Sequence, residues 1–216
     1  MILTALNNTN VLSQNNFSTP WWGALGFHTN SSTYTGGANT IKAPLTYVDC
    51  RAVLVRPRGF IEFGLPVASY FLTGMVFKGH IPNDNGEVSF LYARLGADIV
   101  KSEIFRIGLG GSIDARGINV DGIEGYGASL ESYGTISPFI YAKINVGPFL
   151  VLPVFEYNAL SWTNTSGTKR PGFSLGGHFI VPLGQKVGIN INPCYEKGHF
   201  KSDQVDMKSK NISFKA

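Results

Sequence analysis

Ser89-Phe90-Leu91-Tyr92-Ala93-Arg94-Leu95-Gly96-Ala97-Asp98-Ile99 carries its apolar side chains on alternate residues. Leu91, Ala93, Leu95, Ala97 and Ile99 share one parity, and Phe90, Tyr92, Arg94, Gly96 and Asp98 share the other. Side chains change faces at every residue of an extended strand, so a period of two reads as a β-strand with one oily face and one polar face. The following stretch repeats the rule, setting Phe105, Ile107, Leu109 and Ile113 against Arg106, Gly108, Gly110, Ser112 and Asp114. Two such strands already imply a sheet with one polar face.

The pattern extends outward in both directions. Ile136, Ile140, Ala142, Ile144 and Val146 alternate with Ser137, Phe139, Tyr141, Lys143 and Asn145, the chain turns at Gly147-Pro148, and Phe149, Val151, Phe155 and Tyr157 return. Phe173, Leu175, Phe179 and Val181 oppose Ser174, Gly176 and His178, and Val187, Ile189, Ile191 and Tyr195 oppose Gly188, Asn190, Asn192 and Glu196. These are hairpins of an antiparallel meander. Ten strands are expected, at 21–29, 45–55, 60–77, 88–99, 104–113, 136–146, 149–157, 172–181, 186–196 and 207–214. The third crosses Pro66, but Ile61, Phe63, Leu65, Val67, Phe71, Met75 and Phe77 keep one parity through it.

Short turns near 56–59, 101–103, 147–148 and 182–185 alternate with longer polar loops near 30–43, 79–86, 115–134, 158–171 and 197–206. One end of the molecule is therefore expected to be loop-rich, and an even strand count puts both termini at the other end. The expected organisation is one domain, an antiparallel up-and-down barrel over 20–216, after an N-terminal extension over 1–19.

Composition narrows the class. Charged residues make up 15% of the 216, Gly numbers 26, and no stretch is apolar for the roughly 18 residues that a membrane helix needs. A membrane barrel remains open, because its strands need only about 9–11 residues and alternate in polarity. Net charge is +4, yet Lys and Arg are scattered without a basic run, so no nucleic-acid partner is expected. The opening Met-Ile-Leu-Thr-Ala-Leu lacks a basic segment before a long apolar core and does not read as a signal peptide; an export signal is expected to have been removed.

The oily face could line a soluble, ligand-carrying barrel of the lipocalin kind or meet a bilayer. The polar face mixes Asp49, Arg51, Glu62, Arg94, Asp98, Arg106, Lys143, Glu156 and Glu196 with many small Gly and Ser residues. Opposite charges and small residues suit a narrow lumen, where charges pair across the interior. Trp21, Trp22, Tyr47, Phe77, Phe149, Tyr157, Trp162, Tyr195 and Phe214 fall near strand ends as candidates for interfacial girdles. Leu150, Leu152 and Val154 break the polarity of their face and are expected to form an internal plug or part of a mixed core.

In this patterning the chain resembles the small outer-membrane β-barrels of Gram-negative bacteria, the broad group of OmpA-like, OmpW-like and opacity-like proteins. The closing Lys210-Asn211-Ile212-Ser213-Phe214 is similar to the terminal strand of that group, in which an aromatic usually ends the chain; here Lys215 and Ala216 follow Phe214. The resemblance implies a transmembrane barrel in the bacterial outer membrane, with membrane lipid around it, long loops outside and a protein partner at those loops. The expected role is structural or interactive, with a lumen filled by side chains. The alternatives are a soluble carrier of a hydrophobic ligand and a lipid-modifying outer-membrane enzyme.

Little else carries chemistry, and no enzyme activity, cofactor or metal is expected. Cys50 and Cys194 lie on the second and ninth strands, three spacings or roughly 14 Å apart, and differ in parity, so free thiols are expected. Ser174 and His178, with Glu156 and Glu196 on neighbouring strands, suggest a hydrolytic triad on paper, but no motif surrounds them and His178 reads as a lumenal polar group. His28, His80 and His199 lack metal-ligand spacing. Gly108-Leu109-Gly110-Gly111-Ser112 lacks the Lys and helix of a phosphate loop, and its glycines are read as making room for bulky neighbours such as Tyr92. The sequons at Asn7, Asn16, Asn30, Asn164 and Asn211 are read as chance products of Asn/Ser/Thr-rich stretches. Asp121, Glu124 and Glu131 against Arg116 give the 115–134 loop an acidic surface.

Overall fold

The computed structural model describes residues 22–65, 77–78, 81–82, 85–102, 104–120, 132–164, 168–183, 188–203 and 205–215. The strands are β1 (Trp22–Gly36), β2 (Asn39–Arg56), β3 (Gly59–Leu65), β4 (Phe77–Lys78), β5 (Ile81–Pro82), β6 (Gly86–Lys101) and β7 (Phe105–Asn119). Then follow β8 (Ser132–Val146), β9 (Phe149–Asn158), β10 (Leu160–Thr163), β11 (Gly172–Pro182), β12 (Gly188–Lys201) and β13 (Asp206–Lys215). Antiparallel pairing runs β8-β7-β6-β3-β2-β1-β13-β12-β11-β9, and β9 pairs back onto β8, so ten strands close a ring. β10 continues the line of β9 along β8, with Leu160 opposite Ile136 after Phe155 opposite Ile140. Every neighbouring pair in the ring is hydrogen-bonded, with the described contacts of β3 covering Cys50–Arg56 of β2 and Tyr92–Ala97 of β6.

The parity reading holds residue by residue. On β6, Leu95 and Ile99 are 63% and 64% exposed on the outside, whereas Arg94 is 7% exposed on the inside. Ile61, Phe63, Leu109, Ile140, Phe155, Leu175, Phe179, Ile189 and Ile212 likewise face outward. The apolar side chains therefore surround the barrel and the charged ones fill it, the reverse of a carrier with an apolar interior.

Several boundaries differ from the sequence reading: β7 runs on to Asn119 and β8 begins at Ser132, both within the expected 115–134 loop, and β10 lies within the expected 158–171 loop. Residues 30–43, expected as a loop, are the paired ends of β1 and β2 joined by a tight turn at Gly37, which takes a positive φ of 56°. The β1 half carries Thr29, Ser31, Thr33 and Thr35 outside and His28, Asn30, Ser32 and Tyr34 inside, so little apolar alternation marks it, and the β2 half turns only the short run Ile41, Ala43 and Leu45 inward. Thr still favours strands, and the Thr29–Thr46 and Thr35–Thr40 hydroxyls meet across the pair at 3.2 and 3.3 Å. β12 and β13 similarly run on to residues 201 and 206, so long loops do not alternate with short turns throughout. Phe77 pairs with Pro82 in a separate two-stranded sheet and does not end the third barrel strand. The passage through Pro66, the extension 1–19, Trp21, His80 and the acidic tip with Asp121, Glu124 and Glu131 lie outside the described residues.

Inside, two apolar layers bracket the polar middle. Near the short-turn end Val53, Val55, Phe60, Phe139, Tyr141, Leu150, Leu152, Val154 and Ile180 pack together, so the break in polarity at 150–154 is an internal plug. Near the loop end Tyr34, Ala43, Ile118, Val120, Tyr133, Phe200, Val205 and Met207 form a second layer. Glycine makes the first layer possible. A Cβ on Gly108 would lie 2.3 Å from the Tyr141 ring, and one on Gly110 would lie 2.3 Å from the Phe139 ring. The rings these glycines admit belong to β8, the strand paired with β7, and not to Tyr92 as the sequence suggested.

Candidate functional site in the barrel lumen

Each inward position on a strand must be filled by something that tolerates loss of water. Buried charges survive there only when paired and hydrogen-bonded, because desolvation costs several kcal/mol per ion. Three ion-pair clusters meet that condition, stacked along the lumen.

The lowest sits beside the short-turn end. Lys143 Nζ lies 2.8 Å from Asp98 Oδ1 and donates to the carbonyls of Arg56 and Gly59 at 2.7 and 2.9 Å. Tyr141 Oη donates to Asp98 at 2.6 Å, and Arg106 lies 3.6 Å from the same carboxylate.

The middle cluster centres on Glu62 and Arg94, which β3 and β6 place directly opposite each other. Glu62 accepts from Tyr92 at 3.1 Å and from Arg94 at 3.3 Å, stands 3.1 Å from His178 Nε2, and has Arg51 at 3.6 Å. Arg94 reaches across the lumen to Glu156 at 2.5 Å, and Glu156 also accepts from Ser112 and, at 3.4 Å, from Ser174.

In the uppermost cluster Arg116 joins three acids, Glu87, Asp114 and Glu196. Tyr34 and Tyr133 donate to Glu87 at 2.6 and 2.5 Å. Arg170 lies 2.6 Å from Glu196 and stacks 4.6 Å above the Tyr133 ring and 5.2 Å from the Phe200 ring. The paired groups balance: Arg51, Arg94, Arg106, Arg116, Lys143 and Arg170 face Glu62, Glu87, Asp98, Asp114, Glu156 and Glu196. The cavity left among them, lined by His28, Tyr92, Arg94, Glu156 and Asn192 among others, measures about 40 Å³. That space holds a few waters and no larger solute.

The residues that formed a triad on paper do not meet as one. Ser174 is directed to Glu156, while His178 is held between Glu62 and Asn190, its Nδ1 3.2 Å from Asn190 Oδ1. Glu196 belongs to the upper cluster with Arg116 and Arg170. His178 is thus a lumenal network residue, as its parity indicated. Cys50 and Cys194 are free thiols, with β1 and β13 between their strands. His199, read from sequence as isolated, lies 2.6 Å from Asp206 across the β12–β13 hairpin. Among the described residues no group of three or more His, Cys, Asp or Glu is placed to hold a metal ion.

Sequence reasoning found Glu62, Arg94, Asp98, Lys143, Glu156 and Glu196 by their strand parity. It missed Arg170, which lies between strands where no alternation applies, and Tyr34, which lies in the segment read as a loop. Glu87 was missed because the sixth strand begins before the apolar alternation does.

No family model matches this chain, and no curated protein does. Among solved structures it is similar to the outer membrane protease OmpT from Escherichia coli, at 7% identity over 93% of each chain with a TM-score of 0.38. It is also similar to Ail, the attachment invasion locus protein of Yersinia pestis, at 7% identity over 92% of this chain and 99% of that one, with a TM-score of 0.26.

Proposed function

We propose that this chain is a bacterial outer-membrane β-barrel, closed to diffusion through its lumen, that serves a structural or interaction role at its loop end. One observation carries the reading: large apolar side chains point outward around the ring while paired charges point inward. Each such side chain gains roughly 1.5–3 kcal/mol on leaving water, so an aqueous surface of this kind would be strongly self-associating. A lipid bilayer satisfies it, and a ring closed by β9 on β8 is the form of sheet that lipid tolerates, because its strands pair with one another instead of leaving an open edge. β2 has 18 residues and β6 has 16, beyond the roughly 9–11 that span a bilayer, so the wall projects past the membrane. The projecting end carries the longer connections and is the surface offered to a partner.

The filled lumen supports neither a diffusion pore nor a catalytic pocket, and Ser174 and His178 lack the mutual contact a hydrolase needs. The purified chain is expected to aggregate without detergent and to be monodisperse, with a β-rich circular dichroism spectrum, in micelles. A monodisperse monomer in plain buffer would overturn the membrane reading. Cutting back residues 121–131 should leave that micellar fold intact and abolish partner binding in a pull-down from outer-membrane extracts.

A further inference from the structure

Lys197 and Lys210 stand directly opposite each other on β12 and β13, both exposed on the outer face. Like charges facing across a ladder destabilise the sheet, and the ion pairs of the described residues include neither lysine. The same row continues from Lys210 to Thr33 on β1 and from Thr33 to Lys42 on β2, adding a third exposed lysine. At about 4.8 Å per strand the three ammonium groups share a row of roughly 14 Å. Protection of a sheet edge does not explain Lys197 and Lys210, which have paired neighbours on both sides, Phe173 and Lys210 for the one and Lys197 and Thr33 for the other. Nor do acids among the described residues: the ion-paired carboxylates of the barrel strands point into the lumen, Asp206 on the outer face takes His199, and Asp203 lies at the tip of the β12–β13 hairpin.

The neighbours of the row fix its surroundings. In the other direction Lys197 is paired with Phe173, and Phe173 with Tyr157. One step toward the short-turn end come Tyr195 and Ile212, and then Phe214. The Tyr195 ring lies 6.2 Å from that of Phe173, and Lys210 Nζ is 5.6 Å from its centroid. The lysines therefore form the rim where the apolar, aromatic band gives way to the Thr- and Lys-bearing end of the wall, the level at which lipid headgroups lie.

We infer that the Lys197–Lys210–Lys42 row binds the headgroup of an outer-leaflet lipid carrying at least two phosphates, an inference that rests on the membrane reading above. One phosphate between Lys197 and Lys210 relieves their repulsion. Lys42, about two strand spacings or roughly 10 Å from Lys210, is too far to share it and takes a second, with the Thr33 hydroxyl between them.

The test is native mass spectrometry of the full chain in zwitterionic micelles doped with diphosphoryl lipid A, monophosphoryl lipid A or phosphatidylcholine. Diphosphoryl lipid A should be retained best. Lys197→Gln and Lys210→Gln should each weaken its retention about five-fold, and Lys42→Gln should lower it to the monophosphoryl level. Lys101→Gln, at the short-turn end, should change nothing. Thermal unfolding gives a second readout: Lys210→Gln should raise Tm in phosphatidylcholine micelles by removing a repulsion, and should shrink the Tm gain on adding diphosphoryl lipid. Equal retention of all three lipids by an inserted, folded chain, or an equal loss from Lys101→Gln, overturns the lysine site and leaves the membrane reading standing. A chain that stays soluble and ignores micelles overturns both.

Discussion

Lys143 holds a charge in the lumen with no exposed side-chain surface, and Asp98 beside it is equally buried. The pair survives because Nζ has two carbonyls as well as the carboxylate, while Asp98 also accepts from Tyr141. Removing one partner strands the other. Lys143→Met is expected to destabilise the folded barrel by about 3–5 kcal/mol, and adding Asp98→Leu to it should recover most of that loss. Urea unfolding from micelles measures both, and a single variant as stable as the parent would show that the pair does not hold the lumen together. The charges of this network were legible in the sequence because they sit on the parity opposite to the apolar set. Their partners were not: Arg94 finds Glu156 across the lumen, 62 residues away, and nothing local specifies that contact.

At the scale of the strand, the inward glycines of β6 and β7 and the inward rings of β8 are one device. Gly96 and Gly110 stand opposite each other, and both lie beneath Phe139, with Gly96 also under Tyr141. Gly110→Leu places a side chain where the Phe139 ring and the Leu95 carbonyl already stand, and should cost about 1–3 kcal/mol or more. Gly111→Leu, on the outer face with open space around it, should be nearly neutral and serves as the control. Equal midpoints for the two variants would refute the packing argument. Strand existence was readable wherever apolar residues alternate. It failed for the upper half of β1, where polar positions on both faces give parity little to report, and for the upper half of β2, where the short run Ile41, Ala43 and Leu45 faces inward against Thr40, Lys42, Pro44 and Thr46 and is interrupted by a proline.

For the whole molecule, two apolar layers and three charge clusters stand in series across the lumen, and each would have to open for a solute to pass. In a planar bilayer the intact chain should therefore show no stable stepwise conductance. Discrete openings in the unmodified protein would sink the sealed-lumen reading. Replacing Leu152 and Phe139 by Ala opens a gap in the lower layer, and any current that results should be a brief, salt-dependent flicker because the polar belt and the upper layer still stand in series.

The alternation of side chains by itself determined that this chain forms antiparallel strands with one oily face, and the number of alternating runs determined that ten of them form the wall. It did so because a strand's faces are fixed by a covalent period of two that needs no partner. Only the tertiary structure decided which charges pair, which glycines admit which rings, and that Lys197, Lys210 and Lys42 stand in one row. Those relations are set by the register between strands far apart in the chain, and register is a property of the closed barrel rather than of any one strand.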